Sequence, residues 1–222
     1  MVESLRRGRR VPGILAAAAL LGLLTLSAPG AARADAVGDP TLTTGTGRLG
    51  FGVQFDLSER DLDPPGELET VRLLGTASFG FAPNVDGFLK AGLVNGDDLD
   101  LGFGLGAGLR ASLLRQGDWQ VGGLVQLVYF LTETDPFGLD TDWIEFDLAG
   151  AVSFRGAGAL VPYAGIKIGL LEGDVEGRDF DQDDPVGVFG GVSVAVSRNL
   201  TVGAELRLIN EDGIAVFVNA RF

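Results

Sequence analysis

Gly213–Phe222 reads GIAVFVNARF. Successive side chains of an extended strand point to opposite faces, so Ile214, Val216, Val218, Ala220 and Phe222 share one side, and Ala215, Phe217, Asn219 and Arg221 the other. An unbroken apolar face must be covered, and a strand in this position is expected either to close a barrel or to pack inside one. The preceding segment repeats the pattern. Leu200, Val202, Ala204, Leu206 and Leu208 alternate with Thr201, Gly203, Glu205, Arg207 and Ile209, and Asn210-Glu211-Asp212-Gly213 joins the two as a β-hairpin.

Working back along the chain, the same two-residue period recurs with little interruption. Strands are predicted over 49–57, 70–81, 87–94, 99–113, 119–132, 144–155, 160–171 and 186–196, ahead of the closing hairpin. The fourth is the cleanest: Leu99, Leu101, Phe103, Leu105, Ala107, Leu109, Ala111 and Leu113 oppose Asp100, Gly102, Gly104, Gly106, Gly108, Arg110 and Ser112. This makes ten strands. The connections over 58–69, 133–142 and 172–185 read as long acidic loops, those near 95–98 and 210–213 as short acidic ones, and the intervening ones as tight turns. Long loops at one end and tight turns at the other is the asymmetry of a transmembrane β-barrel, and an even strand count puts both ends of the barrel at the tight-turn side.

The first 34 residues read as a separate element. Arg6, Arg7, Arg9 and Arg10 precede an apolar run, Ile14–Leu26, and Ala32-Arg33-Ala34 supplies the small residues of a signal-peptidase site. A secretory signal cleaved before Asp35 is expected, leaving 35–222 as one barrel domain. The apolar run is shorter than the roughly 20 residues of a spanning helix.

Composition narrows the function. The chain carries 17 basic and 30 acidic residues; without 1–34 these fall to 12 and 29, a net charge near −17 that argues against nucleic acid as a partner. There is no cysteine, so an exported chain holds together without disulfides. There is no histidine either, which removes imidazole as base, nucleophile activator or metal ligand. Glycine is abundant, 35 residues, but hydrophobic residues make up 46% of the chain, too many for disorder.

Period alone does not say whether the apolar rows face lipid or the core of a soluble barrel. The opposite rows decide it: they are Gly, Ser, Thr and Gln with one or two charges per strand, unlike the Lys- and Glu-rich exterior of a soluble domain. Such a face suits a confined lumen, and the apolar rows then meet hydrocarbon. Trp119, Phe81, Phe154 and Phe222 gather toward the tight-turn end, as an interfacial girdle would.

The segment NLTVGAELRLINEDGIAVFVNARF (199–222) resembles the last hairpin of the small outer-membrane barrels of the OmpA-like, OmpX-like and opacity types: an Asn-Leu turn, an inward Glu-x-Arg, and a terminal Phe. The resemblance covers about two strands and is architectural over the rest. It implies an all-β, closed, antiparallel up-and-down barrel in a Gram-negative outer membrane; eight strands are the alternative to ten. It also implies that Val216, Val218, Ala220 and Phe222 are read by the barrel-insertion machinery, with outer-membrane lipid and lipopolysaccharide as the surrounding partners.

Arg48, Asp56, Arg72, Lys90, Asp100, Arg110, Glu145, Asp147, Arg155, Lys167, Glu205 and Arg207 are the candidate lumen charges. Mutual ion pairing is one reading, because a charge in a barrel needs a partner or water. A polar path for small solutes is the other, and Gly102, Gly104, Gly106 and Gly108 leave space for it unless Phe130, Trp143 and Tyr163 fill the gap. Glu145 and Asp147 sit two apart on one face, but without histidine or a recognisable nucleophile no enzymatic activity and no cofactor are expected. Asp179, Asp181 and Asp183 resemble the opening of a calcium loop while lacking its central glycine and closing glutamate. The expected role is structural or interactive, with acidic loops presented outward. A narrow channel for small polar solutes and a soluble periplasmic barrel for an apolar ligand are the alternatives.

Overall fold

A computed structural model describes residues 37–222 except 64–65, 97–98, 135–138, 176, 183 and 210. It contains strands β1 (Leu49–Asp63), β2 (Gly66–Ala82), β3 (Val85–Gly96), β4 (Leu99–Gln116), β5 (Trp119–Thr134), β6 (Leu139–Phe154), β7 (Leu160–Val175), β8 (Arg178–Gln182), β9 (Val186–Ala195), β10 (Leu200–Leu208) and β11 (Asp212–Arg221). Each wall strand pairs antiparallel with its neighbour in sequence, β7 joining β9. The wall closes where β1 meets β11, from Gly50 opposite Arg221 to Glu59 opposite Asp212. Ten strands therefore make the barrel, and no open edge remains along their shared length.

The apolar rows point outward. Phe51, Leu89, Leu101, Leu105, Leu148, Ile166 and Val218 are exposed, while Gln54, Asp56, Arg72, Gln126, Glu145, Lys167 and Arg207 on the opposite faces are buried. A soluble barrel would have these faces reversed, so the expectation of an apolar ligand inside a water-soluble barrel is overturned. The aromatic girdle forms at the tight-turn end as three pairs. Trp119 lies 4.9 Å from Phe154, Phe79 5.4 Å from Phe81, and Phe51 6.1 Å from Phe222 between ring centres.

The structure corrects one sequence expectation and adds two features to it. The segments 58–69, 133–142 and 172–185 are not long loops. β1 and β2 run on to Asp63 and from Gly66, β5 and β6 extend to Thr134 and from Leu139, and the third segment holds the end of β7 and all of β8. The hydrophobic alternation stops there because the outward face of the wall turns polar above the hydrocarbon, while the inward side chains keep the register: Ser58 bonds Thr70, and Arg60 reaches into the lumen. Second, the barrel is uneven in height. β9, β10 and β11 have 10, 9 and 10 residues against 15 and 16 for β1 and β7, and β8 bridges the gap above them by pairing with both β7 and β1. Third, the segment ahead of β1 enters the barrel: Val37, Asp39, Thr41 and Thr44 are buried inside the wall.

Candidate functional site: a filled lumen

Among the described residues, the barrel interior holds two layers of buried side chains and part of the segment that precedes β1. Inward-facing glycines make this possible. A side chain at Gly104 would meet the ring of Phe130, and one at Gly108 the ring of Phe88, so the glycine row of β4 is where aromatic rings from β5 and β3 lie down. The space that four missing side chains could leave to solute is filled by neighbours. Phe130 in turn stacks on Trp143 at 5.0 Å, and the Arg72 guanidinium sits 4.5 Å above the Phe130 ring. Leu68, Leu74, Val94, Leu99, Val128 and Leu171 pack with these rings, and Leu62 of β1 and Phe180 of β8 pack against them.

Across this layer runs a network of charges contributed by five strands and one turn. Glu145 of β6 accepts two bonds from Arg72 of β2, at 2.6 and 2.9 Å, one from Arg60 of β1 at 3.1 Å, and one from Trp143 Nε1 at 2.8 Å. Arg60 also pairs with Glu211 at 2.9 Å. Lys167 of β7 joins Glu211 to Asp147, whose other oxygen accepts from Gln126 at 2.8 Å. Arg207 of β10 pairs with Asp56 of β1 at 2.9 Å and approaches Glu205 at 3.9 Å and Glu211 at 3.5 Å. All these ion-pairing side chains are 3% exposed or less, so the pairs belong to the regime in which an unmatched charge is strongly unfavourable. Glu211 lies in the β10–β11 turn. Burial alone would raise its pKa, but Lys167, Arg60 and Arg207 outweigh it and hold the carboxyl below its ordinary range.

Toward the tight-turn end a second polar layer involves the segment 37–48. Asp86 of β3 takes a bond from the Thr44 amide at 2.5 Å and from Arg110 Nε at 3.1 Å. Thr41 meets Ser153 Oγ at 2.8 Å and accepts from Arg155 at 3.1 Å. Glu205 accepts from the Val37 amide at 2.9 Å and from the Tyr163 hydroxyl at 3.0 Å. Between this segment and the wall is a cavity of about 70 Å3, lined by Gln54, Lys90, Arg110, Thr201, Phe217 and Asn219 among others. That is room for roughly two waters.

Of the charges expected in the lumen, Asp56, Arg72, Lys90, Arg110, Glu145, Asp147, Arg155, Lys167, Glu205 and Arg207 lie on inward faces or at the inner rim, whereas Arg48 and Asp100 are exposed at opposite ends of the wall. Four members were hidden from the sequence. Arg60, Asp86 and Glu211 fall in segments read as loop or turn, and Asp39 ahead of the first predicted strand. The signal that could have found Arg60 is register: Ser58 and Arg60 continue the inward row of Gln54 and Asp56. Glu145 and Asp147 do face the same way, but each is engaged by cations or N–H donors, so neither is poised as a base. Val216, Val218 and Phe222 lie on the outward face of the last strand, with the Phe222 amide bonded to the Leu49 carbonyl at 2.8 Å. Asp179 and Asp181 lie on β8, and Asp183 is outside the described residues. Among the described residues no group of three or more acidic side chains is arranged to hold a metal ion.

On the outer face, pairing brings carboxylates side by side. Asp142, Asp174 and Asp179 form one row across β6, β7 and β8; Glu172, Asp181 and Asp63 a second across β7, β8 and β1; Asp212, Glu59 and Glu69 a third across β11, β1 and β2. Like charges directly opposite oppose pairing by tenths of a kcal/mol to about 1 kcal/mol.

No protein-family model matches the chain, and neither does any curated protein sequence. Solved structures do. Neisserial surface protein A is 17% identical, covering 79% of this chain and 96% of that one, with a TM-score of 0.41. The translocator domain of the autotransporter NalP from Neisseria meningitidis is 13% identical over 95% of this chain and 97% of that one, at 0.46. An outer membrane channel from Pseudomonas putida F1 is 11% identical over 85% and 100%, at 0.44. This chain is similar in fold to small outer-membrane β-barrels.

Proposed function

We propose that the protein is an integral outer-membrane barrel with a shut lumen, which works through its outer surface: it anchors in the membrane and raises acidic hairpins on the far side. The observation that carries this is the Arg60–Glu145–Arg72 junction, which ties β1, β2 and β6 together across the interior and is sealed above by Trp143, Phe130 and Phe180. An interior held by buried ion pairs gives cohesion to a wall whose exterior has only lipid to pack against. The channel reading has no comparable support, since the described cavity inside the wall holds about two waters.

The three outer rows of carboxylates stand above the apolar band, at the height of lipid headgroups and beyond. Their mutual repulsion is relieved where divalent cations bridge them to the phosphates of lipopolysaccharide, which we take as the surrounding partner. The outward face ending in Phe222 is taken as the strand that the barrel-insertion machinery reads. Planar-bilayer recording tests the central reading. A folded, heat-modifiable barrel should pass no steady current, and a reproducible single-channel step would overturn it.

A further inference from the structure

The segment 37–47 is bound to the wall in an unusual way. Its contacts to the barrel run through side chains at almost every point: Glu205 and Asp86 accept the amides of Val37 and Thr44, Gln120 Nε2 donates to the Thr41 carbonyl at 3.1 Å, and Arg221 donates to the Thr43 carbonyl at 3.4 Å. The Gly47 amide, on the Gly80 carbonyl at 2.8 Å, is a main-chain bond at the rim. Apolar anchoring comes from Val37, buried in the lower core, Pro40, buried against Gly122, and the half-buried Leu42. The wall is cut to receive this strap: a side chain at Gly122 would run into the main chain at Pro40 and Thr41, and one at Gly80 into that at Gly45.

We propose that the tight-turn half of the lumen is a binding site for a short peptide that turns as residues 39–42 do, with the Leu42 amide on the Asp39 carbonyl at 3.0 Å, held through its main chain by Glu205, Asp86, Gln120 and Arg221, and that residues 37–47 are its resident, displaceable occupant. Carboxylates that accept amide hydrogens and donors that hold carbonyls recognise backbone, while Ser153 and Arg155 bond the Thr41 hydroxyl and Ser78 that of Thr44, so the site selects a turned segment of small and hydroxyl-bearing residues. A strap lacking ladder bonds leaves without breaking the barrel, because the wall's own pairing from Leu49 onward is independent of it. A tether of this length supplies an effective concentration in the millimolar range, so a strap that stays docked implies a site with a Kd below about 1 mM for the free peptide.

The chain has no cysteine, so engineered thiols report cleanly. Thr41→Cys with Ser153→Cys replaces a contact of 2.8 Å and locks the strap when oxidised. Val37→Asp with Thr41→Ala weakens the strap and leaves the wall's four readers intact. A fluorescent peptide of sequence VGDPTLTTGTG should bind the weakened full-length chain saturably below about 1 mM and fail to bind the oxidised lock. In parallel, a maleimide should label Thr201→Cys, which lines the cavity beside Val37, at least tenfold faster in the weakened chain than in the otherwise unsubstituted one. If the weakened chain, confirmed as folded by its heat-modifiable migration, binds no peptide up to that limit, the site is refuted. Should the weakened strap not fold, the lock decides the matter alone: after reduction and removal of the reductant, with labelling assigned to each cysteine by peptide mapping, an equal rate at Thr201→Cys before and after reduction of the 41–153 disulfide would show that the strap never leaves.

Discussion

Replacing Glu145 by Gln changes one charge and almost no volume, at the point where the lumen network converges. The wild-type carboxylate holds Arg72 through two bonds and Arg60 through a third, and the side chains of Arg72 and Glu145 are 0% and 1% exposed. After the change Arg60 keeps Glu211, but Arg72 is left as a cation with an amide oxygen in place of a carboxylate and a ring face below it. Removing one partner of a buried pair costs about 3–5 kcal/mol, and the surviving amide hydrogen bond places this variant near 3 kcal/mol. Urea unfolding in lipid vesicles measures it, followed by tryptophan fluorescence, since Trp143 both stacks on Phe130 and donates to Glu145. The double variant Arg72→Met, Glu145→Gln closes the cycle and should recover most of the loss, because exchanging both members of a buried pair for neutral groups is often close to neutral. A cost below about 1 kcal/mol for Glu145→Gln would refute the argument, since that is the worth of a water-exposed pair.

Further outcomes follow from the same geometry. Leu105→Arg places a charge on the outward face near mid-strand and should cost about 2–4 kcal/mol in the same unfolding assay; no change would mean that this row does not meet hydrocarbon. Glu211 has its pKa depressed in the folded chain, so the stability it supplies is present above its ordinary value near 4.5 and is lost as pH falls through the depressed one. The urea midpoint should therefore drop below pH 4.5, and Glu211→Gln should flatten that part of the profile. Gly104→Val forces the Phe130 ring aside and should cost about 1–3 kcal/mol, whereas Gly150→Ala, with open space at its outward face, should stay within about 0.5 kcal/mol. Deleting Phe222 should lower the amount of heat-modifiable barrel recovered from membranes while leaving refolding in vesicles largely intact, if that residue acts in insertion.

The barrel was legible in the amino-acid sequence wherever one face of a strand meets hydrocarbon and the other does not. Leu99 to Leu113 against Asp100 to Ser112 leaves no other reading, and GIAVFVNARF places Phe217 and Arg221 inside as surely as Val218 and Phe222 outside. Ten wall strands, with eight as the alternative, and most inward charges were read from that contrast, and the direction of the faces from the small, sparsely charged residues of the polar rows. It fails above the membrane, where Glu59-Arg60-Asp61 is polar on both sides, so whether such a segment is strand or loop depends on the register of its neighbour. The tertiary structure decided the rest. Arg60 and Glu211 lie 151 positions apart, and only barrel closure brings them to Glu145 and Lys167. Whether Gly104 leaves a passage or a seat for Phe130, and whether Asp39 and Thr41 are solvated or threaded through the lumen, depends on which strands stand opposite, and the spacing of residues along the chain contains nothing of that.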